Sequence, residues 1–125
     1  MRLRGHHLVC LNFLTEAFNA AFTALLREVR ERALAGEEVE VIEGVDELCS
    51  RCPMLAAGAC KFEEEVREMD AEALEALGLS VGDRVRMEEV REKLKGLKEW
   101  LDDFCEGCEF QSACEREKEA FFSSA

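Results

Sequence analysis

Two cysteine triplets constrain this chain more than any other feature of its 125 residues. The triplets are Cys49, Cys52 and Cys60, and Cys105, Cys108 and Cys114. Each begins with a C-x-x-C pair, whose turn can point two sulfurs at one centre, and the thiolate is the form of cysteine that binds zinc or iron. The spacing therefore predicts two cysteine-bearing loops that fold around bound metal.

Each triplet lacks a fourth ligand, although zinc and a 4Fe–4S cluster both usually take four. The remaining candidates, His6, His7 and Cys10, lie in the sequence RGHHLVC at positions 4–10. If this segment is helical, His6 and Cys10 share one face, and His7 stands three residues before Cys10. Neighbouring residues on a helix point about 100° apart, so we expect at most one histidine to reach a given metal. The other is expected to form hydrogen bonds.

All-thiolate ligation favours a 4Fe–4S cluster as the cofactor. Zinc is the alternative, and a four-thiolate zinc site could use the two C-x-x-C pairs as knuckles in a protein-interaction module. Seven cysteines cannot supply two four-cysteine sites. We therefore expect one well-occupied cluster in which Cys10 completes one triplet, while the other triplet binds a second metal weakly or forms a disulfide. His7 is preferred to His6 as an eighth ligand.

A third hypothesis is an enzyme in which Cys10 is a nucleophile and His6 or His7 is its base. No orienting acid can be assigned from sequence, so no catalytic residue and no reaction is predicted. Acidic residues are abundant between positions 63 and 75, including Asp70, but none stands at E-x-x-H spacing. We interpret this run as a solvated helix face rather than a carboxylate metal site.

The charge of the chain restricts its partners. A net charge of −12 repels phosphate backbones and anionic lipid, so nucleic acid and membrane surfaces are not expected as partners. A basic protein, such as a redox partner, fits better. No run approaches the roughly 18 apolar residues of a membrane span, and the start lacks the hydrophobic region of a signal peptide. We predict a cytoplasmic protein, in which reduced thiols are more plausibly ligands than disulfides.

The hydrophobic pattern predicts one domain over residues 1–125. Apolar residues at helical spacing predict helices at 8–35, 61–77, 88–104 and 113–122. Alternating residues predict short strands at 38–43 and 82–87, paired with each other. The expected fold is a mostly helical α+β single domain with a short two-stranded β element and cysteine-bearing loops.

Four stretches carry a resemblance to a known family. They are RLRGHHLVC at 2–10, EGVDELCSRCP at 43–53, Asp70 followed by LEALGL at 74–79, and CEGCEF at 105–110 leading to Cys114. Together they resemble the domain-of-unknown-function family 1284, small bacterial and archaeal proteins of about this length. The resemblance implies a metallodomain with an iron–sulfur centre and no established reaction. Gly5 stands where Pro is expected and Phe110 where Trp is common, and neither is a candidate ligand.

Overall fold

The computed structural model describes residues 1–53, 55–56, 59–108 and 110–123, and at 55–56 and 59–60 only the backbone. The elements in chain order are β1 (Arg2–Arg4), α1 (Gly5–Cys10), α2 (Ala20–Leu34), β2 (Glu38–Ile42), a 3-10 helix (Leu48–Arg51), β3 (Leu55–Ala56), β4 (Ala59–Cys60), α3 (Glu63–Leu77), β5 (Arg84–Arg86), α4 (Met87–Leu94), α5 (Lys98–Cys105) and α6 (Gln111–Ser123). This arrangement confirms a mostly helical α+β fold. Each helix within the described residues is too short or too polar to cross a bilayer.

A three-stranded mixed sheet has the order β1-β2-β5. Strand β1 runs parallel to β2, with Leu3 opposite Val41, and β5 runs antiparallel to β2, with Val85 opposite Val39. The two predicted strands and their pairing are confirmed. The prediction of a two-stranded element is wrong, because β1 adds a third strand and β3 and β4 form a separate antiparallel pair. Strand β1 has three residues, of which Leu3 and Arg4 are both buried, so it is too short and too irregular to give a recognisable alternation.

The predicted long helix at 8–35 is wrong, because the chain forms α1 and α2 with an irregular segment between them. Phe18 has the left-handed backbone conformation (φ 57°), which interrupts a right-handed helix. Asn19 then starts α2, since its side chain accepts a hydrogen bond from the Phe22 N–H at 2.9 Å. The side chains of Leu11 and Leu14 remain buried in the intervening segment, so the helix-like apolar pattern continues across the break.

The predicted helix at 88–104 is also wrong as one element, since α4 ends at Leu94 and α5 begins at Lys98. Gly96 lies between them, and its N–H donates to the Lys93 carbonyl in a tight turn. The other helix predictions are confirmed by α3 and α6. Helix α3 ends at Gly78, whose φ of 68° is the left-handed conformation typical of a glycine C-cap.

Helix α1 packs mainly against α3, and this contact fixes the N-terminal candidate ligands. Leu8 and Val9 of α1 are fully buried, as are Val39 and Val41 of β2. The approach to α3 is close at Gly5, where an added Cβ would lie 2.4 Å from the carbonyl oxygen of Asp70. Only a glycine allows the two backbones to meet at this distance.

Gly5→Ala should therefore destabilise the protein. The nearest atoms belong to the backbone of α3, which cannot rotate away, so we expect the free energy of unfolding to fall by about 1–3 kcal/mol. Urea unfolding followed by circular dichroism measures this loss. Gly96→Ala is the control, because its added Cβ meets no atom closer than 3.8 Å. Equal stability of the two variants would contradict the close packing of α1 on α3.

Candidate metal centre

A cavity of about 450 Å³ brings the candidate ligands from distant parts of the chain together. Its wall includes His6, His7, Cys10, Cys49, Cys52 and Cys108. These residues come from α1, from the first C-x-x-C pair and from the loop of the second triplet. Much of the remaining wall is apolar, with aromatic rings such as Phe18 and Phe62 partly exposed beside it. Polar donors therefore converge in a largely hydrophobic pocket, as in many ligand sites.

The two histidines of α1 each contact a different carboxylate. His6 Nδ1 lies 2.6 Å from Asp70 Oδ1, and His7 Nδ1 lies 2.6 Å from Asp46 Oδ2. The two ring centroids are 4.2 Å apart. Because each carboxylate engages Nδ1, it fixes the orientation of its ring and leaves Nε2 as the nitrogen that can act as a ligand.

Burial controls the charge of the His6–Asp70 pair. It lowers the pKa of His6 to about 4, an effect that the charge of His7 reinforces and that Asp70 opposes. Burial alone would raise the pKa of Asp70, but hydrogen bonds from the His6 side chain and backbone lower it below its usual value. At neutral pH, His6 is therefore a neutral imidazole that donates its Nδ1–H to an ionised Asp70.

Asp46 joins α1 to the first C-x-x-C pair. Its Oδ2 accepts the Arg4 N–H at 2.8 Å and contacts His7, while its Oδ1 accepts the N–H groups of Leu48 and Cys49 at 3.0 and 3.2 Å. Burial raises the pKa of Asp46, but the charge and hydrogen bond of His7 outweigh it and leave the pKa at about 2. The ionised carboxylate thus starts the 3-10 helix that carries Cys49.

His7, Asp46 and Cys49, called here the His7 group, are the only three described side chains whose potential ligand atoms all lie within 4.8 Å of one another. Cys49 is buried, and burial together with the charge of Asp46 raises the pKa of its thiol to about 11. Arg4 Nη1 lies 3.9 Å from its sulfur. Cys52 closes the C-x-x-C turn by donating its N–H to the Cys49 carbonyl at 3.0 Å.

The second triplet surrounds the junction of α5 and α6. Cys105 is the last residue of α5, and its carbonyl accepts a hydrogen bond from the Cys108 N–H at 3.0 Å. Cys114 lies near the start of α6. Aromatic contacts hold this region against the segment that follows α1. The ring of Phe110 packs edge to face against that of Phe18, with 4.8 Å between the ring centroids. Phe121 packs in the same way against Phe13, with 5.5 Å between the centroids.

Cys10, at the end of α1, lines the cavity with Cys49, Cys52 and Cys108, and the cysteine charges that act on its thiol are those of the second triplet. Burial raises the pKa of its thiol well above the usual value, and the charges of Cys105, Cys108 and Cys114 raise it further. These four residues are called here the Cys10 group. The six cysteines whose side chains are described all carry free thiols. The side chain of Cys60 lies outside the described part of the structure, so its role as a ligand stays a prediction.

Sequence reasoning missed the carboxylates of the site. The interpretation of positions 63–75 as a solvated face is wrong for Asp70, which is buried, and for Glu63, which contacts Arg4. The statement that no orienting acid could be assigned is also superseded, since Asp46 and Asp70 both orient histidines. A signal was present, because Asp70 interrupts the apolar stripe of α3 and an acid at such a position needs a buried partner.

Comparison with known proteins gives a family for the chain. No curated protein and no solved structure matches it. A family-wide sequence model matches residues 15–114, a range that contains both cysteine triplets and the carboxylates Asp46 and Asp70. The chain therefore belongs to the family described as a protein of unknown function (DUF1284).

Proposed function

We propose that this protein holds a 4Fe–4S cluster through the Cys10 group and transfers electrons. Two observations support the proposal most: Cys10 and Cys108 line one cavity, and the charges of Cys105, Cys108 and Cys114 all act on the Cys10 thiol. Four cysteines are the donor set that such a cluster takes, and soft thiolates favour it. When bound, the cluster would supply one-electron chemistry, and the four cysteines would fix its position between the end of α1 and the α5–α6 junction.

The thiols of the described cysteines do not have the spacing of a site with three or four sulfurs on one zinc ion. Sulfurs that share one zinc, each about 2.3 Å from the metal, lie roughly 3.8 Å apart in a tetrahedron. Among the described side chains, however, no three cysteine sulfurs lie within 4.8 Å of one another. A cluster needs wider spacing, because each thiolate binds a different iron. A zinc site shared by the two C-x-x-C pairs has less support, since Cys49 lies with His7 and Asp46 instead.

The exposure of the Cys10 group favours electron transfer over a purely structural cluster. Cys108 is exposed, while Cys105 and Cys114 are half-buried, so one edge of a cluster held here would lie close to the surface. Electron transfer needs such an edge, because a partner must approach the cluster. The net charge of −12 would attract a basic redox partner.

The hypothesis of a nucleophilic Cys10 has less support. A catalytic cysteine needs a lowered thiol pKa, whereas burial raises that of Cys10. The charges that act on this thiol belong to other cysteines and to Asp70, which also disfavour the thiolate. A bound cation would reverse this effect, as expected for a metal ligand.

Iron and sulfide analysis of protein purified without air tests the proposal. The protein should be brown, with broad visible absorbance, and should contain about four irons and four sulfides per chain. Glu64→Ala, at an exposed position on α3, is the control and should contain the same amounts. A colourless protein with neither iron nor sulfide, with or without zinc, would contradict the proposal.

A further inference from the structure

A second set of ligands lines the same cavity but does not belong to the Cys10 group. The His7 group places one potential ligand atom from each of three residues within 4.8 Å of the others. Two ligands on one zinc ion are at most about 4.6 Å apart, so this spacing approaches that of a single-ion site. Cys52 lies outside this trio, but it lines the same cavity and belongs to the same C-x-x-C turn as Cys49. We propose that His7 and Cys49 bind one zinc-class divalent ion, that Cys52 turns its thiolate towards this ion as the third ligand, and that Asp46 positions His7.

The hydrogen bonds of Asp46 assign it a positioning role. Its two oxygens already engage three backbone N–H groups and His7 Nδ1, which accounts for the usual accepting capacity of a carboxylate. Its side chain is fully buried, with no exposed surface. Nδ1 of His7, which lines the cavity, is therefore engaged, and within the described residues no hydrogen bond to its Nε2 is found. A carboxylate behind a ligating imidazole is a common support of zinc sites.

The C-x-x-C turn supplies the other ligands. Cys49 and Cys52 both line the cavity, and the hydrogen bond from the Cys52 N–H to the Cys49 carbonyl closes the turn that carries them. Two thiolates and one imidazole favour zinc and similar ions, whereas calcium and magnesium take oxygen ligands. Three protein ligands would leave the fourth position open to the cavity, as in zinc sites that bind a water or a substrate.

His6 provides a matched comparison for His7. The two side chains are 15% and 14% exposed, and each contacts a carboxylate through Nδ1 at 2.6 Å. Among the described residues, however, His6 belongs to no set of three close ligand atoms, whereas His7 lies beside Cys49 and Asp46. A general effect of losing a buried histidine should therefore appear in both His6→Ala and His7→Ala. The loss of a metal ligand should appear only in His7→Ala.

Cobalt binding tests the site independently of the cluster. The parent is full-length Cys108→Ser, which lacks one proposed cluster ligand at an exposed position, kept reduced and free of air. It should bind one equivalent of cobalt(II), with thiolate-to-cobalt charge-transfer absorption and the visible bands of a tetrahedral ion. Adding His7→Ala should weaken binding at least about tenfold, and Asp46→Asn should weaken it about 10- to 100-fold. Adding His6→Ala should leave the affinity of the parent unchanged.

Three results would overturn this second site. They are the absence of a saturable charge-transfer band in the parent, equal weakening by His6→Ala and His7→Ala, and retention of the band after Cys49→Ser. If Cys49→Ser fails to fold, the comparison of the two histidine variants still decides. Failure of the cluster proposal appears separately, as missing iron and sulfide in the wild-type protein, and does not affect the cobalt result.

Discussion

Cys10→Ser is expected to lose most of its iron. If Cys10 is the ligand that completes the second triplet, its removal leaves three thiolates for four irons, and the cluster should not survive purification. Iron content measured without air should fall from about four per chain to below about one, and the visible absorbance should fall with it. The melting temperature should also decrease, because a bound metal group contributes its binding free energy to folding.

Cys52→Ser is the control for this result. Cys10 and Cys52 are both half-buried and line the same cavity, so the two substitutions remove the same atom from similar surroundings. Cys52→Ser should keep its iron, because Cys52 is not one of the four proposed cluster ligands. Loss of iron from Cys52→Ser but not from Cys10→Ser would show that the cluster is held by the first triplet instead.

Sequence predicted those parts of the fold whose signal lies in residues close together in the chain. Strand β2 alternates over five residues, and α3 ends at the glycine where its apolar stripe ends. The breaks at Phe18 and Gly96 were not predictable in this way. Leu11 and Leu14 pack into the core from irregular backbone, and their spacing imitates a helix. Periodicity detects which side chains face inward and is less able to detect where the backbone turns.

In the candidate site, too, local features could be predicted from the sequence and features that depend on packing could not. Cysteine spacing predicted the candidate ligands, because a C-x-x-C turn is a local feature. The carboxylates were missed, because no acid in the sequence stands at helical distance from a histidine. The observed partners lie 39 residues apart for His7 and Asp46, and 64 for His6 and Asp70. Such pairs exist only after α1 has packed against α3 and the 3-10 helix, so local spacing cannot reveal them.

The ion network of Arg4 connects these elements. The Arg4 side chain is only 1% exposed, and its guanidinium contacts Asp70 Oδ2 at 2.8 Å, a Glu63 carboxylate oxygen and the sulfur of Cys49. Burial would lower the pKa of the guanidinium, but Glu63 and Asp70 raise it above its ordinary value. One buried cation therefore joins β1 to α3 and to the first C-x-x-C pair, and it compensates the charge of Asp70.

Arg4→Met should be among the most destabilising single substitutions in this protein. It would leave the buried carboxylate of Asp70 without its cation, and removing one partner of a buried ion pair typically costs about 3–5 kcal/mol of unfolding free energy. The control is Arg67→Met, since Arg67 also contacts Glu63, at 3.2 Å, but is 51% exposed and should contribute only about 0–1 kcal/mol. Urea unfolding of the reduced, metal-free protein compares the two.

The double variant Arg4→Met/Asp70→Asn separates the charge of Asp70 from the packing of Arg4. If an uncompensated carboxylate causes the loss, neutralising Asp70 should restore part of the stability of Arg4→Met, although the same change is destabilising in the wild-type protein, where Asp70 also holds His6. If the two losses simply add, the ion pair does not stabilise the junction, and the apolar contacts of α1 with α3 would be the main interaction that holds the cavity together.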